Sequence, residues 1–141
     1  MQETGILNRG IGEVLSRMGH TDELIVCDAG FAIPLGVETV DISLAKNKPT
    51  VIETLEELIR HFSVERLVVA QETRDVSPTR FRAIAEVFGP NVPVDVIPLK
   101  DFRQRSRTVK AVIRTGDFTA YSNVLLVSAG GPRWYLERPK G

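Results

Sequence analysis

The chain has few of the residues that carry conspicuous chemistry. It holds one cysteine, two histidines and one tryptophan in 141 residues, aromatics make up 6%, and 18 basic residues cancel 18 acidic ones. Each scarcity excludes something. The lone Cys27 cannot close a disulfide within its own chain, which fits a reducing compartment and leaves the thiol as a small buried apolar group on a strand. His20, His61 and Cys27 are scattered without metal-ligand spacing, so no protein-built metal site is expected. A net charge of zero offers no field to draw nucleic acid or an anionic membrane. No stretch approaches the ~20 apolar residues of a membrane span, and "MQETGILNRG" lacks the apolar core of a signal peptide, so a soluble, unsecreted protein is expected. "SAGGP" follows an apolar run, but no helix pattern follows and no Lys-Ser/Thr closes it, so it does not read as a phosphate loop.

What is present is an alternation of helix and strand patterns in a chain of one-domain length, without repeats or linkers. Ile11, Leu15 and Met18 fall on one helix face, which begins near Arg9 and is expected to stop at Gly19 in a left-handed cap. "ELIVCD", residues 23–28, reads as a strand buried on both faces because its apolar residues are continuous. A second helix is expected over Thr50–Phe62 with Val51, Ile52, Leu55, Leu58 and Ile59 inward, which places His61 late in that helix as a structural residue. A third spans Ser77–Phe88, where Ser77 can cap and Phe81, Ile84, Ala85 and Phe88 face inward. "ERLVVAQ", "PVDVIP", "KAVIRTG" and "NVLLVSAG" are short, rich in valine or isoleucine, and bounded by turn residues, as strands are. The expected fold is α/β: a three-layer αβα domain on a largely parallel sheet. The last two strand candidates have no helix between them, so part of the sheet should be antiparallel.

Bottom-up, the candidate chemistry centres on "MGHTDELIVCDAG". A loop histidine, His20, can give and take a proton near neutral pH, and an aspartate, Asp28, can orient it. Ordinary roles compete: a satisfied loop residue for His20, a turn-forming hydrogen bond to its own backbone for Asp28. Tyr121, Ser122 and Asn123 place three hydrogen-bonding side chains before a buried strand, and turn chemistry accounts for them almost as well. Arg103, Arg105, Arg107 and Lys110 could grip phosphate, but with little aromatic interleaving a solvated face is the favoured reading.

"MGHTDELIVCDAGFAIP" and "VIRTGDFTAYSNVLLVSAG", with an opening Leu-Asn and the Asp41-Ile-Ser-Leu segment in the same order and spacing, resemble the D-ribose pyranase family, relatives of the L-fucose mutarotases. The resemblance covers residues 4–131. It implies a cytoplasmic, cofactor-free enzyme that interconverts pyranose, furanose and anomeric forms of a free monosaccharide. It also implies a ring-based homo-oligomer, a decamer or octamer with pockets between subunits, and neither nucleic-acid nor membrane partners. Carried over by position, His20 matches the catalytic acid, Asp28 a substrate-contacting aspartate, and Tyr121 and Asn123 the substrate-binding Tyr-x-Asn that brackets Ser122. The family usually carries a further substrate-contacting histidine twenty-two positions before the tyrosine. Here that position is Leu99, with Lys100 the nearest polar replacement, which shifts the expectation toward altered sugar specificity.

Two further expectations concern assembly. A straight strand ending at Asp28 separates it from His20 by more than ~15 Å, so the pair meets within one chain only if "HTDE" folds back, and otherwise a neighbouring subunit completes the pocket. Residues 1–141 are expected to form one domain with a family-atypical extension at 132–141, whose Trp134 and Tyr135 would dock against a neighbouring subunit. Three function classes stand at this point: a sugar ring isomerase on ribose or another aldose such as L-fucose, a catalytically weak sugar-binding module, and a nucleic-acid-binding oligomer using Arg103–Lys110.

Overall fold

Apolar runs long enough to be buried on both faces of a sheet decide this architecture. In the computed structural model, which describes residues 1–138, the elements in chain order are α1 (Arg9–Arg17), β1 (Glu23–Cys27), β2 (Thr39–Asp41), α2 (Val51–Leu58), β3 (Val64–Ala70), α3 (Gln71–Val76), α4 (Pro78–Phe88), β4 (Val94–Ile97), α5 (Leu99–Arg105), a 3₁₀ turn (Ser106–Thr108), β5 (Ala111–Arg114) and β6 (Val124–Ser128). The last three residues of the 132–141 extension lie outside the described residues.

The six strands form one sheet in the order β2-β5-β1-β6-β3-β4. β1 and β2 each pair with β5 in parallel, as β3 does with β4, whereas β6 runs antiparallel between β1 and β3. The expected reversal is therefore present, but the closeness of β5 and β6 in sequence does not make them neighbours, because β1 lies between them. Successive residues of each central strand alternate between two cores. Leu24, Val26, Leu67, Val69 and Leu126 pack with Val14, Leu55, Leu58 and Ile84 of α1, α2 and α4. Ile25, Cys27, Val68 and Leu125 pack on the other face with Phe102 of α5, and the Phe31 ring meets Phe102 edge-on at 5.9 Å. Each fully buried leucine or isoleucine contributes roughly 1.5–3 kcal/mol, so this two-sided burial holds the layers together.

Several element ends differ from expectation, each for a local reason. Gly19 does not take the left-handed conformation; Thr21 does, at φ +67°. α1 ends at Arg17 with Met18 already extended, and the Asp22 carboxylate accepts the Gly19 N–H at 2.7 Å. α2 starts with a capping box, in which Thr50 and Glu53 satisfy each other's backbone N–H, but it stops at Leu58. The N–H groups of Arg60 and His61 then donate to the carbonyls of Glu57 and Leu58, so His61 lies in a turn beyond the helix. Ser77 precedes α4 but does not cap it with its side chain; its hydroxyl donates to the Ala120 carbonyl. The short β2, α3 and α5 were not foreseen: β2 has three residues, and α5 runs into the arginine-rich segment that reads as a solvated face.

Candidate active site

Because five strands share a direction and β6 opposes them, the carboxyl ends of β1, β4 and β5 meet the amino end of β6 at one rim of the sheet. Open α/β sheets hold their ligands outside those carboxyl ends. Here the rim carries a pocket of about 580 Å³ lined by Asp28 after β1, Asp117 after β5, Leu99 and Arg103 of α5, and Tyr121 and Asn123 before β6.

Asp28 sits just past β1 and is 7% exposed. Its Oδ1 accepts the Gly30 N–H at 3.0 Å, its Oδ2 accepts the Ser122 N–H at 3.1 Å, and its own N–H donates to Asn123 Oδ1 at 2.9 Å. The turn and binding readings of Asp28 are thus compatible, since one oxygen shapes the 28–30 turn while the carboxylate still lines the pocket. Burial is the main influence raising its pKa above the usual carboxylate value. The N–H groups of Gly30 and Ser122 oppose it, and the nearby Asp117 adds to the rise. Behind it, burial pushes the Cys27 thiol up to about 12, so this cysteine is an inert packing group.

A second buried carboxylate braces the opposite wall. Asp117, 1% exposed, accepts the Val51 N–H at 2.9 Å and the Thr119 N–H at 2.8 Å, and pairs with Arg80 at 3.2 Å. Three side chains of the α3–α4 corner grip the following segment: Thr73 donates to the Tyr121 carbonyl at 2.6 Å, Ser77 to the Ala120 carbonyl at 2.8 Å, and Arg80 to Thr119 Oγ1 at 3.0 Å. That grip fixes Tyr121 at φ +57°, a left-handed conformation costing a non-glycine residue roughly 1–2 kcal/mol. Arg114 braces the other side by donating to the Ala29 carbonyl at 2.9 Å and pairing with Asp41 at 3.1 Å. Hydrogen bonds from Ser43, followed by the Arg114 charge, hold the Asp41 carboxyl below its ordinary value.

Of the residues singled out from sequence, Asp28, Leu99, Tyr121 and Asn123 come together here. Ser122 is fully buried and contributes its backbone N–H; its hydroxyl has no hydrogen-bond partner among the described residues. Lys100 is exposed on α5 and does not line the pocket. His20 lies at the other end of β1, in a separate cavity with Ser128 and His61. Thr21 N–H donates to the Ser128 carbonyl at 2.8 Å, so "HTDE" does not fold back toward Asp28. Sequence reasoning passed over Asp117, Arg114 and Arg80. The first two had a signal, a charged residue at or just after the end of an apolar strand; Arg80, on an amphipathic helix, had none. The basic segment is divided: Arg105 pairs with Glu23 and Lys110 with Asp22, while Arg103 faces the pocket. Among the described residues no His, Cys, Asp and Glu cluster could hold a metal ion, and no helix is long and apolar enough to cross a membrane.

Comparison with known proteins places these observations in a family. Residues 1–130 match the RbsD / FucU transport protein family. The D-ribose pyranase of Halalkalibacterium halodurans is 39% identical over 128 residues, 91% of this chain and 97% of that one. The D-ribose pyranase of Pseudothermotoga lettingae is 37% identical over 141 residues, 100% of this chain and 99% of that one. Among solved structures, Bacillus subtilis RbsD complexed with D-ribose superposes with a TM-score of 0.87 at 31% identity, covering 92% of this chain and 98% of that one. The fucose mutarotase of Streptococcus pneumoniae in complex with L-fucose shares the fold, at a TM-score of 0.69 and 16% identity over 89% of this chain and 94% of that one.

Proposed function

The chain belongs to the RbsD / FucU transport protein family, and from that premise we propose that it is a cytoplasmic sugar ring isomerase. It interconverts pyranose, furanose and anomeric forms of a free monosaccharide, D-ribose first, without a cofactor. The observation that carries this reading is the nearly buried Asp28 carboxylate, fixed by backbone N–H groups beside Tyr121 and Asn123 in one pocket. The neutral side chains of Tyr121 and Asn123 beside the Asp28 carboxylate suit the hydroxyls of an uncharged polyol.

Ring opening of a hemiacetal needs a proton delivered to the ring oxygen while one leaves the anomeric hydroxyl. The O–H electrons form the carbonyl as the ring C–O bond breaks, and closure on another face or hydroxyl reverses the transfer. His20 is the proposed acid and base, a role that typically supplies ~10²- to 10⁴-fold. Asp28, Tyr121 and Asn123 hold the sugar. Since His20 and the Asp28 pocket lie at opposite ends of β1, the reading requires a homo-oligomer, a ring-based decamer or octamer, in which a neighbouring subunit brings its His20 to the pocket.

The test is NMR exchange between ribopyranose and ribofuranose signals at equilibrium, with and without the protein and with His20→Ala. Faster exchange that His20→Ala abolishes is the expected result; exchange equally fast in His20→Ala removes His20 from the mechanism. Leu99 on the pocket wall, where the family usually has histidine, favours a second reading: an L-fucose-type mutarotase acting on another aldose. L-Fucose and other aldoses therefore run beside ribose. Sugar binding without acceleration of any of them leaves a sugar-binding module.

A further inference from the structure

The cavity around His20 has a wall built partly by residues beyond 130, the last that the family model matches. It also measures about 580 Å³, and its lining includes His20, His61, Ser63, Gly130, Arg133 and Trp134. Arg133 and Trp134 lie beyond residues 1–130, which match the family. The segment carrying them is seated. The Ala129 N–H donates to the Ser63 carbonyl at 3.1 Å, and the Trp134 N–H donates to the Gly131 carbonyl at 3.0 Å, closing a turn. Two glycines allow the close approach. A Cβ on Gly131 would collide with the Ser63 side chain, and one on Gly130 would stand 3.1 Å from the indole. Trp134 therefore packs over a bare stretch of backbone, yet it stays 80% exposed, with most of its ring surface unused.

The groups around that ring are complementary to a sugar. An indole is a flat apolar surface with one N–H donor at its edge, and a pyranose or furanose presents C–H groups on one face and hydroxyls around its rim. His20, His61 and Arg133 supply nitrogen donors to such a rim, and among the described residues no carboxylate lines this cavity. The Asp28 pocket, by contrast, supplies the carboxylate acceptors.

We infer that Trp134 is a sugar-stacking residue: a free monosaccharide acted on by His20 lays its C–H face on the Trp134 indole, with Arg133 donating to its hydroxyls. This rests on the reading of His20 given above, and Trp134 accompanies His20 wherever that histidine completes a site.

Trp134 is the only tryptophan, so tryptophan-selective fluorescence reports this wall alone. D-Ribose titrated into the assembled full chain should change the emission saturably. Trp134→Ala should raise the KM for ribose about tenfold with kcat within about threefold, and Trp134→Phe should restore most of the loss, because stacking binds ground and transition states alike. Ribose interconversion by the wild type with silent emission and an unchanged KM in Trp134→Ala overturns the inference and leaves the isomerase reading intact. A saturable emission change without interconversion does the reverse. Failure of both overturns both. A Trp134→Ala protein that loses the wild-type oligomer mass makes the segment a subunit contact and overturns the stacking role.

Discussion

Replacing Arg80 with leucine should destabilise the fold by about 3–5 kcal/mol, the cost of leaving a buried charge without its partner. Asp117 is 1% exposed and its carboxylate has three close partners: the Val51 N–H at 2.9 Å, the Thr119 N–H at 2.8 Å and the Arg80 guanidinium at 3.2 Å. At an effective dielectric constant of about 20, unit charges that close attract by about 5 kcal/mol. Leucine retains part of the packing of the arginine stem but leaves the anion with two amide donors, and Thr119 Oγ1 loses its donor at 3.0 Å. Urea unfolding at fixed protein concentration measures the loss as a shift of midpoint at constant slope. For a domain of this length, 3 kcal/mol corresponds to roughly 10 °C in melting temperature. Arg80→Lys keeps the charge without the two-point grip and should fall between wild type and Arg80→Leu. Adding Asp117→Asn to Arg80→Leu removes the isolated anion and should recover part of the loss. A loss below about 1 kcal/mol in Arg80→Leu refutes the reasoning, since it would mean that Asp117 is not an anion dependent on Arg80.

Three other outcomes follow from the same site. Burial raises the pKa of Asp28, so the native state binds that proton more tightly than the unfolded chain. Its favourable effect on stability is greatest below the unfolded value, about 3.9, and is lost as pH rises through the raised native value. A carboxyl-carbon NMR titration should show a midpoint above the ordinary carboxylate value, with sugar binding falling on the acid side at the same midpoint; a midpoint at or below the ordinary value refutes this. Leu99→His restores a polar group to the pocket wall and should lower the KM for ribose by about 2- to 10-fold, the worth of one hydrogen bond; an unchanged KM argues that this position does not reach the sugar. A Cβ at Gly116 would stand 2.8 Å from the Lys48 carbonyl oxygen and nearer still to that of Ala45, both backbone atoms. Gly116→Ala should therefore cost about 1–3 kcal/mol, and an unchanged melting temperature would show that the 45–48 turn yields freely.

The layers of this fold were legible because the strands announce themselves. A run such as "LIVC" has no polar residue for a solvent face, so both faces must be covered, and β1 and β6 feed two cores as that pattern demands. Strand order was less legible: the place of β1 between β5 and β6 is a tertiary choice that nothing within either segment encodes. Element ends depended on side-chain competition. Gly19 suits a left-handed cap, yet Met18 is already extended and the Asp22 carboxylate accepts the Gly19 N–H, and the Ser77 hydroxyl found the Ala120 carbonyl rather than the end of α4. The pocket was half legible, through Asp28, Tyr121 and Asn123. Its supports were hidden because Arg80 and Thr73 meet residues 39 and 48 positions away, and only the closed sheet makes those contacts.

One reversed strand explains why a single chain carries a cavity at each rim of the sheet. β6 enters at the rim where β1 and β5 end, so the residues before it, Tyr121 to Asn123, join Asp28. Its far end delivers Ser128 and the 130–134 segment to the opposite rim, beside His20. The five residues of β1 separate the rims by roughly 16 Å, too far for one sugar to touch both. If His20 and Asp28 act on the same molecule, they come from different copies, and mixing then has a numerical consequence. His20→Ala and Asp28→Asn should each be inactive alone. Co-refolded in equal amounts, they pair an intact Asp28 pocket with an intact His20 at about a quarter of the shared sites, so about a quarter of wild-type activity should return. No recovery, in an assembly of wild-type mass with both chains incorporated, refutes sharing between copies, and full activity of either variant alone would place the whole reaction at the rim that variant leaves intact.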